Sequence, residues 1–295
     1  MKANPKFVVE AEAALLIFLL VCFANKSRNY VKGILTRGQV LVDGKVCTDY
    51  ARVLHPGQRV EVLLNNSASQ NKMELPIIYE DNDIIVIDKP AGMLSISTDK
   101  ERDNTAYHIV YNYMKNLTKP GRVFIVHRLD RETSGVMMLA KSEHIQQKLQ
   151  ENWADNVIRR GYIAVVEGKV QTLQGQIKSW LKQTKTLLVY SSNKKGDGKP
   201  AITNYQTLQI TEKYSLLDIS LDTGRKNQIR VHMKDIGHPV VGDKKYGALT
   251  NPCGRLGLHA SELIVVHPAT GEQMRFESAT PVAFTKILRS KSEQA

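Results

Sequence analysis

The feature that most limits the fold is the crowding of strand-forming segments in the second half of the chain. "GYIAVVEGKV" (161–170), "KTLLVYSS" (185–192), "AITNYQTLQI" (201–210), "YSLLDISLDTG" (214–224) and "LGLHASELIVVHP" (256–268) follow one another with turn signals between them. Few helical patterns lie between these segments to act as crossovers, so they join mainly by turns. The sheet they form is therefore largely antiparallel, and a repeated strand-helix-strand nucleotide-binding fold is excluded. No Walker-type phosphate loop, dinucleotide fingerprint or solenoid-length repeat is found in the sequence.

Upstream, "IIYEDNDIIVIDKPAG" (77–92) supplies two more short strands around an Asp-Asn-Asp turn. "EHIQQKLQENW" (143–153) spaces Ile145, Leu149 and Trp153 along one helix face, and core packing is the expected role of Trp153. Residues 75–295 are thus expected to form an α+β domain on a mixed, mostly antiparallel sheet.

Residues 1–65 read as a separate small α/β domain. Its apolar run "AALLIFLLVCFA" occupies only residues 13–24, short of the roughly 20 apolar residues a membrane span needs. Glu10 and Glu12 precede it where a secretory signal would be basic, so a buried helix is expected and a membrane partner is not. In "NKSRNYVKGILTRGQVLVDGKV" (25–46), Val31, Ile34 and Leu35 recur at helical spacing, and Val40 and Val42 alternate as in a strand. Gly38 fits a helix stop and Asp43-Gly44 a tight hairpin turn. "LHPGQRVEVLL" adds a further turn and strand, and the polar, aperiodic "NNSASQNK" marks a linker, taken as residues 66–74.

A chain of 295 residues with 42% hydrophobic positions can bury a core for one large and one small domain. Its net charge of +12 makes a polyanion the leading partner. Between Lys26 and Lys45 five basic residues, Lys26, Arg28, Lys32, Arg37 and Lys45, stand against the single acid Asp43. Such a run is usually a solvated face, but the helix-turn-hairpin order resembles the S4-like RNA-binding domain. That resemblance implies that Lys26, Arg28, Lys32 and Arg37 contact RNA. Cys22, Cys47 and Cys253 are odd in number and scattered, giving neither a CxxC metal pair nor a disulfide framework, and a cytoplasmic protein is expected.

The chemistry centres on "VHRLDRETSGVMMLAKS" (126–142), where Asp130 lies between Arg128 and Arg131 and close to His127. A second basic motif, "DTGRKNQIRVH" (222–232), lies downstream. A carboxylate beside arginine is most often a structural ion pair. Surrounding cations also depress a carboxylate pKa and keep the group ionised, which suits a nucleophile or an electrostatic stabiliser. A general acid would need an apolar pocket instead.

"HRLDRETSG", "DKPAG", "GYIAVVEG", "TGRKNQIRVH", "GHPVVGDKKYG" and "LGLHASELIVVHPATGE" together resemble the RluA-type pseudouridine synthases over about residues 75–285. The resemblance implies that Asp130 is the catalytic aspartate, that Tyr162 stacks on the target base, and that Arg230 pairs with the carboxylate. It also implies that Arg128 helps displace the base from its helix. His127, Arg225, Lys226 and Gln228 are expected on the substrate side. Two positions depart from the family pattern: Asn227 where His is common, and Ala279 where Pro is common.

The implied reaction breaks the bond from ribose to the base nitrogen, turns the uracil and rejoins it through a ring carbon. It is redox-neutral, so no cofactor is expected. His238, His259 and His267 lack zinc-ligand spacing, and no metal is expected. The expected partner is ribosomal RNA, with transfer RNA as the alternative, and a monomer is expected. A non-catalytic RNA-binding or assembly factor would share the fold, and a glycosylase that uses Asp130 to activate water would share the carboxylate.

Overall fold

The computed structural model describes residues 4–36, 38–63, 73–98, 101, 103–117 and 121–288, so Arg37 and residues 66–72 of the expected linker lie outside the described residues. The chain divides into two compact units, Met1–Lys72 and Met73–Ala295. Met73 and Leu75 both pack into the core of the larger unit, which therefore begins before the expected residue 75.

In the small unit, Lys6–Val8, Val40–Val42, Lys45–Val46 and Arg59–Val62 pair in an antiparallel sheet, beside helices Leu15–Cys22 and Arg28–Thr36. Val31, Ile34, Leu35, Val40 and Val42 fill its core with Leu15 and Leu19. Asp43 and Gly44 both take positive φ, 50° and 78°, as a tight hairpin turn requires. The apolar helix is buried on one side only. Leu15 and Leu19 lie in the core, as expected of a buried helix, whereas Ile17 and Val21 on its other side are exposed. Among the described residues no helix is long and apolar enough to cross a membrane.

The larger unit is built on a sheet of 11 strands among the described residues. Strand Ser134–Ala140 lies inside it and is buried along its whole length. Period-two alternation sends Val136 and Met138 to one face, against Ile145 and Leu149 of helix Glu143–Glu151. Met137 and Leu139 go to the other face, against Val110 and Met114 of helix Ala106–Lys115. Ser142 and Thr105 cap these two helices through their hydroxyls, at 3.2 Å each, contributing about 1 kcal/mol apiece. Helix Glu143–Glu151 stops at Asn152, so Trp153 starts a separate short helix, Trp153–Asn156, and still packs against the cluster that holds Ile145 and Leu149.

Strands Val157–Glu167, Tyr214–Leu221, Lys199–Ile210 and Gln174–Gln183 continue the sheet with antiparallel neighbours, and helix Gln228–Asp235 packs Ile229 and Met233 onto them. One pairing is parallel: Ser134–Gly135 lies beside His259–Ala260 of strand Leu258–Val266. The backbones approach so closely there that a Cβ on Gly135, whose φ is +113°, would sit 2.0 Å from the Ala260 carbonyl oxygen. Only glycine fits.

Candidate active site

The loop 126–133 leaves the sheet at this parallel pairing and carries Asp130. The peptides on both sides of Asp130 are tied down. Ser95 Oγ donates to the Leu129 carbonyl at 2.7 Å and accepts from the Leu129 N–H at 3.1 Å. The Arg131 carbonyl accepts from the Gly92 N–H at 2.8 Å and from Lys89 Nζ at 3.3 Å. Lys89 is fully buried, and its ammonium also donates to the carbonyls of Pro90 and Met93, at 3.0 and 2.8 Å. Burial pulls its pKa down to about 8, helped by Arg255 and opposed by Asp130 and Glu132. The sequence showed Lys89 within "DKPAG" without giving it this role.

Asp130 opens into a cavity of about 410 Å³ whose lining includes Arg128, Trp153, Arg160, Tyr162, Arg225, Lys226 and Arg230. Arg230 Nη1 stands 4.0 Å from Asp130 Oδ2, an ion-pair distance too long for a hydrogen bond. The arginine is held elsewhere: Nε and Nη2 fork onto Asp243 at 2.6 and 2.7 Å, and the Asp243 side chain is 1% exposed. The guanidinium also lies over the Tyr246 ring, 5.0 Å from its centre. Asn227, at a left-handed φ of 54°, accepts from Arg230 Nη1 at 3.3 Å and donates to the Tyr246 hydroxyl at 2.9 Å. Asp243 and Tyr246 stand in "GHPVVGDKKYG", where the spacing gave no sign that they support Arg230.

The electrostatic balance at Asp130 differs from expectation. Burial pushes its carboxyl above the ordinary carboxylate range, and Arg230, Arg128, Lys226 and Lys89, in that order, only partly offset this. The side chain keeps 31% of its surface open to the cavity, yet desolvation outweighs four cations, because the strongest of them already neutralises Asp243. Arg131 does not join the ring of cations. It pairs with Glu101 at 2.5 Å and donates to the Gly92 carbonyl at 3.0 Å.

His127 is also corrected as a cation. Its Nε2 accepts the Met138 N–H at 3.0 Å, its ring leans on Trp153 with centroids 5.4 Å apart, and burial lowers its pKa to about 4. Gln228 has its amide engaged within the protein, accepting from Thr223 and the Arg225 N–H and donating to Ile202 and Thr203. It shapes the 223–228 turn and has no group left for substrate. Arg128, Arg225 and Lys226 are exposed at the cavity rim. Trp153, expected in the core, packs there with part of its ring and lines the cavity with the rest.

Tyr162 faces Asp130 from strand Val157–Glu167, with its ring against two apolar clusters. Burial raises its hydroxyl pKa to about 12, so the phenol is neutral, and among the described residues it has no hydrogen-bond partner. The arrangement offers one carboxylate open to the cavity, one aromatic face and a rim of cations. Asp81, Asp83 and His267 are the one grouping among the described residues that could hold a metal. They lie apart from this cavity, and Asp81 is engaged by the Asp83 and Ile84 N–H groups and by Tyr79.

Residues 83–235 match the family described as RNA pseudouridylate synthase. The chain is 32% identical to the ribosomal large subunit pseudouridine synthase D of Yersinia pestis over 286 residues, 91% of this chain and 87% of that one. It is also 32% identical to YlyB of Bacillus subtilis, named as an uncharacterized RNA pseudouridine synthase, across 90% of this chain and 89% of that one. Human RNA pseudouridylate synthase domain containing 4 shares the fold at a TM-score of 0.59 and 23% identity, covering 71% of this chain and 90% of that one. From its matched segment, its relatives and its fold alike, the chain belongs to the RNA pseudouridine synthases, enzymes that isomerise uridine to pseudouridine within RNA.

Proposed function

We propose that this chain isomerises uridine in ribosomal RNA with Asp130 as the reacting carboxylate. The observation that carries the assignment is the Asp130 carboxylate, opposite the Tyr162 ring and 4.0 Å from a guanidinium that Asp243 restrains. A stacked uridine is out of reach inside a helix and must be turned outward, at a cost of a few kcal/mol. The exposed cations Arg128, Arg225 and Lys226 meet the phosphates of the opened strand.

The base then lies on Tyr162. Stacking of this kind contributes about 1–3 kcal/mol and leaves the detached uracil free to rotate in its plane. Asp130 must be ionised to react with the ribose or the base ring, as carboxylates do at glycosidic bonds. Arg230 steadies that anion without forming the close pair that would block it.

The naming of the Yersinia pestis relative as a large-subunit ribosomal enzyme favours ribosomal RNA as the substrate. Residues 1–65 are proposed to add RNA affinity, because Lys26, Arg28 and Lys32 lie exposed on or beside one helix. The test is Asp130→Asn in the full chain, with pseudouridine mapped in large-subunit ribosomal RNA and in transfer RNA. The isosteric change removes only the anion, so isomerisation falls to background while RNA binding persists. Substantial residual turnover overturns the carboxylate's role, release of free uracil by wild type points to a glycosylase, and modification confined to transfer RNA reassigns the substrate.

A further inference from the structure

Strand Val157–Glu167 carries two adjacent arginines with opposite surroundings. Arg159 is fully compensated: Nη2 meets both oxygens of Asp218 at 2.9 and 2.7 Å, and Nε meets Glu262 at 2.5 Å. Arg160 turns into the catalytic cavity. Among the described residues its guanidinium makes one hydrogen bond, from Nη2 to the Leu221 carbonyl at 2.9 Å, and no carboxylate lies within ion-pair distance.

Largely buried charges are normally paired, because an uncompensated charge away from water is costly. Here the chain makes room for one. A Cβ at Gly224 would lie 2.5 Å from Arg160 Nη1, so a larger residue there would displace the guanidinium. Burial lowers the Arg160 pKa, the fields of Tyr162 and Asp222 partly oppose it, and Arg225 adds a further push downward. Arg225 reaches the cavity rim, and among the described residues its guanidinium makes one hydrogen bond, from Nε to the Pro200 carbonyl at 3.0 Å. Asp222, the carboxylate whose field reaches Arg160, accepts from Asn204 at 2.9 Å and pairs with neither arginine among the described residues, and two guanidiniums with unspent donors suit an anion with several acceptor oxygens. Uracil offers only neutral carbonyls, whereas the RNA backbone offers phosphodiesters.

We propose that Arg160, together with Arg225, grips a backbone phosphodiester flanking the target uridine. Arg160 and Tyr162 lie two residues apart on one face of the strand, about 7 Å along it. A base on the ring and a phosphate of the same RNA strand are then held at once. The clamp fixes the flipped nucleotide at its backbone while the detached uracil turns. This inference rests on the chain acting on RNA.

The test uses the full chain carrying Asp130→Asn to prevent turnover, with Arg160→Gln, Arg160→Lys or Arg225→Gln added. Binding to a large-subunit ribosomal RNA transcript is measured across a range of KCl concentrations. Arg160→Gln is expected to weaken binding about tenfold or more. It also lowers the slope of log affinity against log salt by about 0.7–0.9, the release of one phosphate's counterions. Arg160→Lys retains the slope and loses part of the affinity, since it keeps the charge without the fork.

An unchanged slope in Arg160→Gln overturns the clamp and leaves Arg160 as a buttress of the Leu221 turn. Should that variant not fold, Arg225→Gln at the exposed rim decides: the same drop in slope supports the shared clamp, and none overturns it. Pseudouridine formation by the chain without Asp130→Asn, on the same transcript, separates the two levels. A modified transcript with an unchanged slope overturns the clamp alone.

Discussion

Asp243→Asn tests the support beneath the catalytic pair. The substitution keeps the side-chain shape and removes the anion that holds Arg230 by two contacts of 2.6 and 2.7 Å. Removing one partner of a buried pair costs about 3–5 kcal/mol. Arg230 borders an open cavity and has Asp130 at 4.0 Å as a second anion, so the lower end, about 3 kcal/mol, applies. For a unit of this size about 3 kcal/mol lowers the melting temperature by roughly 6–12 °C, read by calorimetry or circular dichroism.

The variant also has a kinetic signature. In the proposed mechanism Asp130 reacts as the anion, and burial raises its pKa. Rate is therefore lost on the acid side at a pH above the ordinary carboxylate value of about 3.9. Freed from Asp243, the guanidinium closes on Asp130, favours the anion and moves that acid limb to lower pH, while its close contact with the reacting oxygen lowers the plateau rate. A melt indistinguishable from wild type, or an acid limb displaced upward, refutes the view that Asp243 holds Arg230 off the carboxylate.

Tyr162→Ala should lose the stacking platform, about 1–3 kcal/mol or roughly 5- to 150-fold in single-turnover rate, while Tyr162→Phe retains most of the activity. Equal loss in both variants means the phenol takes part in the chemistry. Replacing Lys26, Arg28 and Lys32 together with Gln should flatten the salt dependence of RNA affinity by about 2–3 in slope and leave the saturating rate near wild type. A collapsed saturating rate would give the small unit a part in assembling the site.

The strands, the hairpin at Asp43-Gly44 and the loop bearing Asp130 were legible because each rests on local pattern: period-two alternation, turn residues, a motif of fixed spacing. Trp153 packs against the core as expected, but its place in the cavity wall was not legible, because helical spacing continues through Asn152 whereas the backbone does not. The sign of the Asp130 shift was misread because sequence lists neighbouring charges but not their other partners. Arg131 is spent on Glu101, and the bulk of Arg230 on Asp243, more than ten residues along the chain. Lys89 and Arg160 escaped notice for a related reason. A lysine roofed by three carbonyls and an arginine lacking a carboxylate are defined by what surrounds them in space.

The parallel pairing of Ser134–Gly135 with His259–Ala260 has a consequence for how the enzyme tolerates change. Asp130 issues from one side of the strand Leu258–Val266 and Tyr162 stands in the strand on its other side, so the site straddles a parallel joint between two antiparallel parts of the sheet. The joint is narrow and is riveted by side chains: Ser134 Oγ lies 2.8 Å from His259 Nδ1, and Arg255 donates to Ser134 at 2.7 Å and to the Leu258 carbonyl at 3.1 Å. Misplacement of reacting groups by about 1 Å is enough to slow an enzyme about a hundredfold. Gly135, Ser134, His259 and Arg255 thus act as the alignment pins of a two-part tool, and wear at any of them would blunt it without touching the cutting edge.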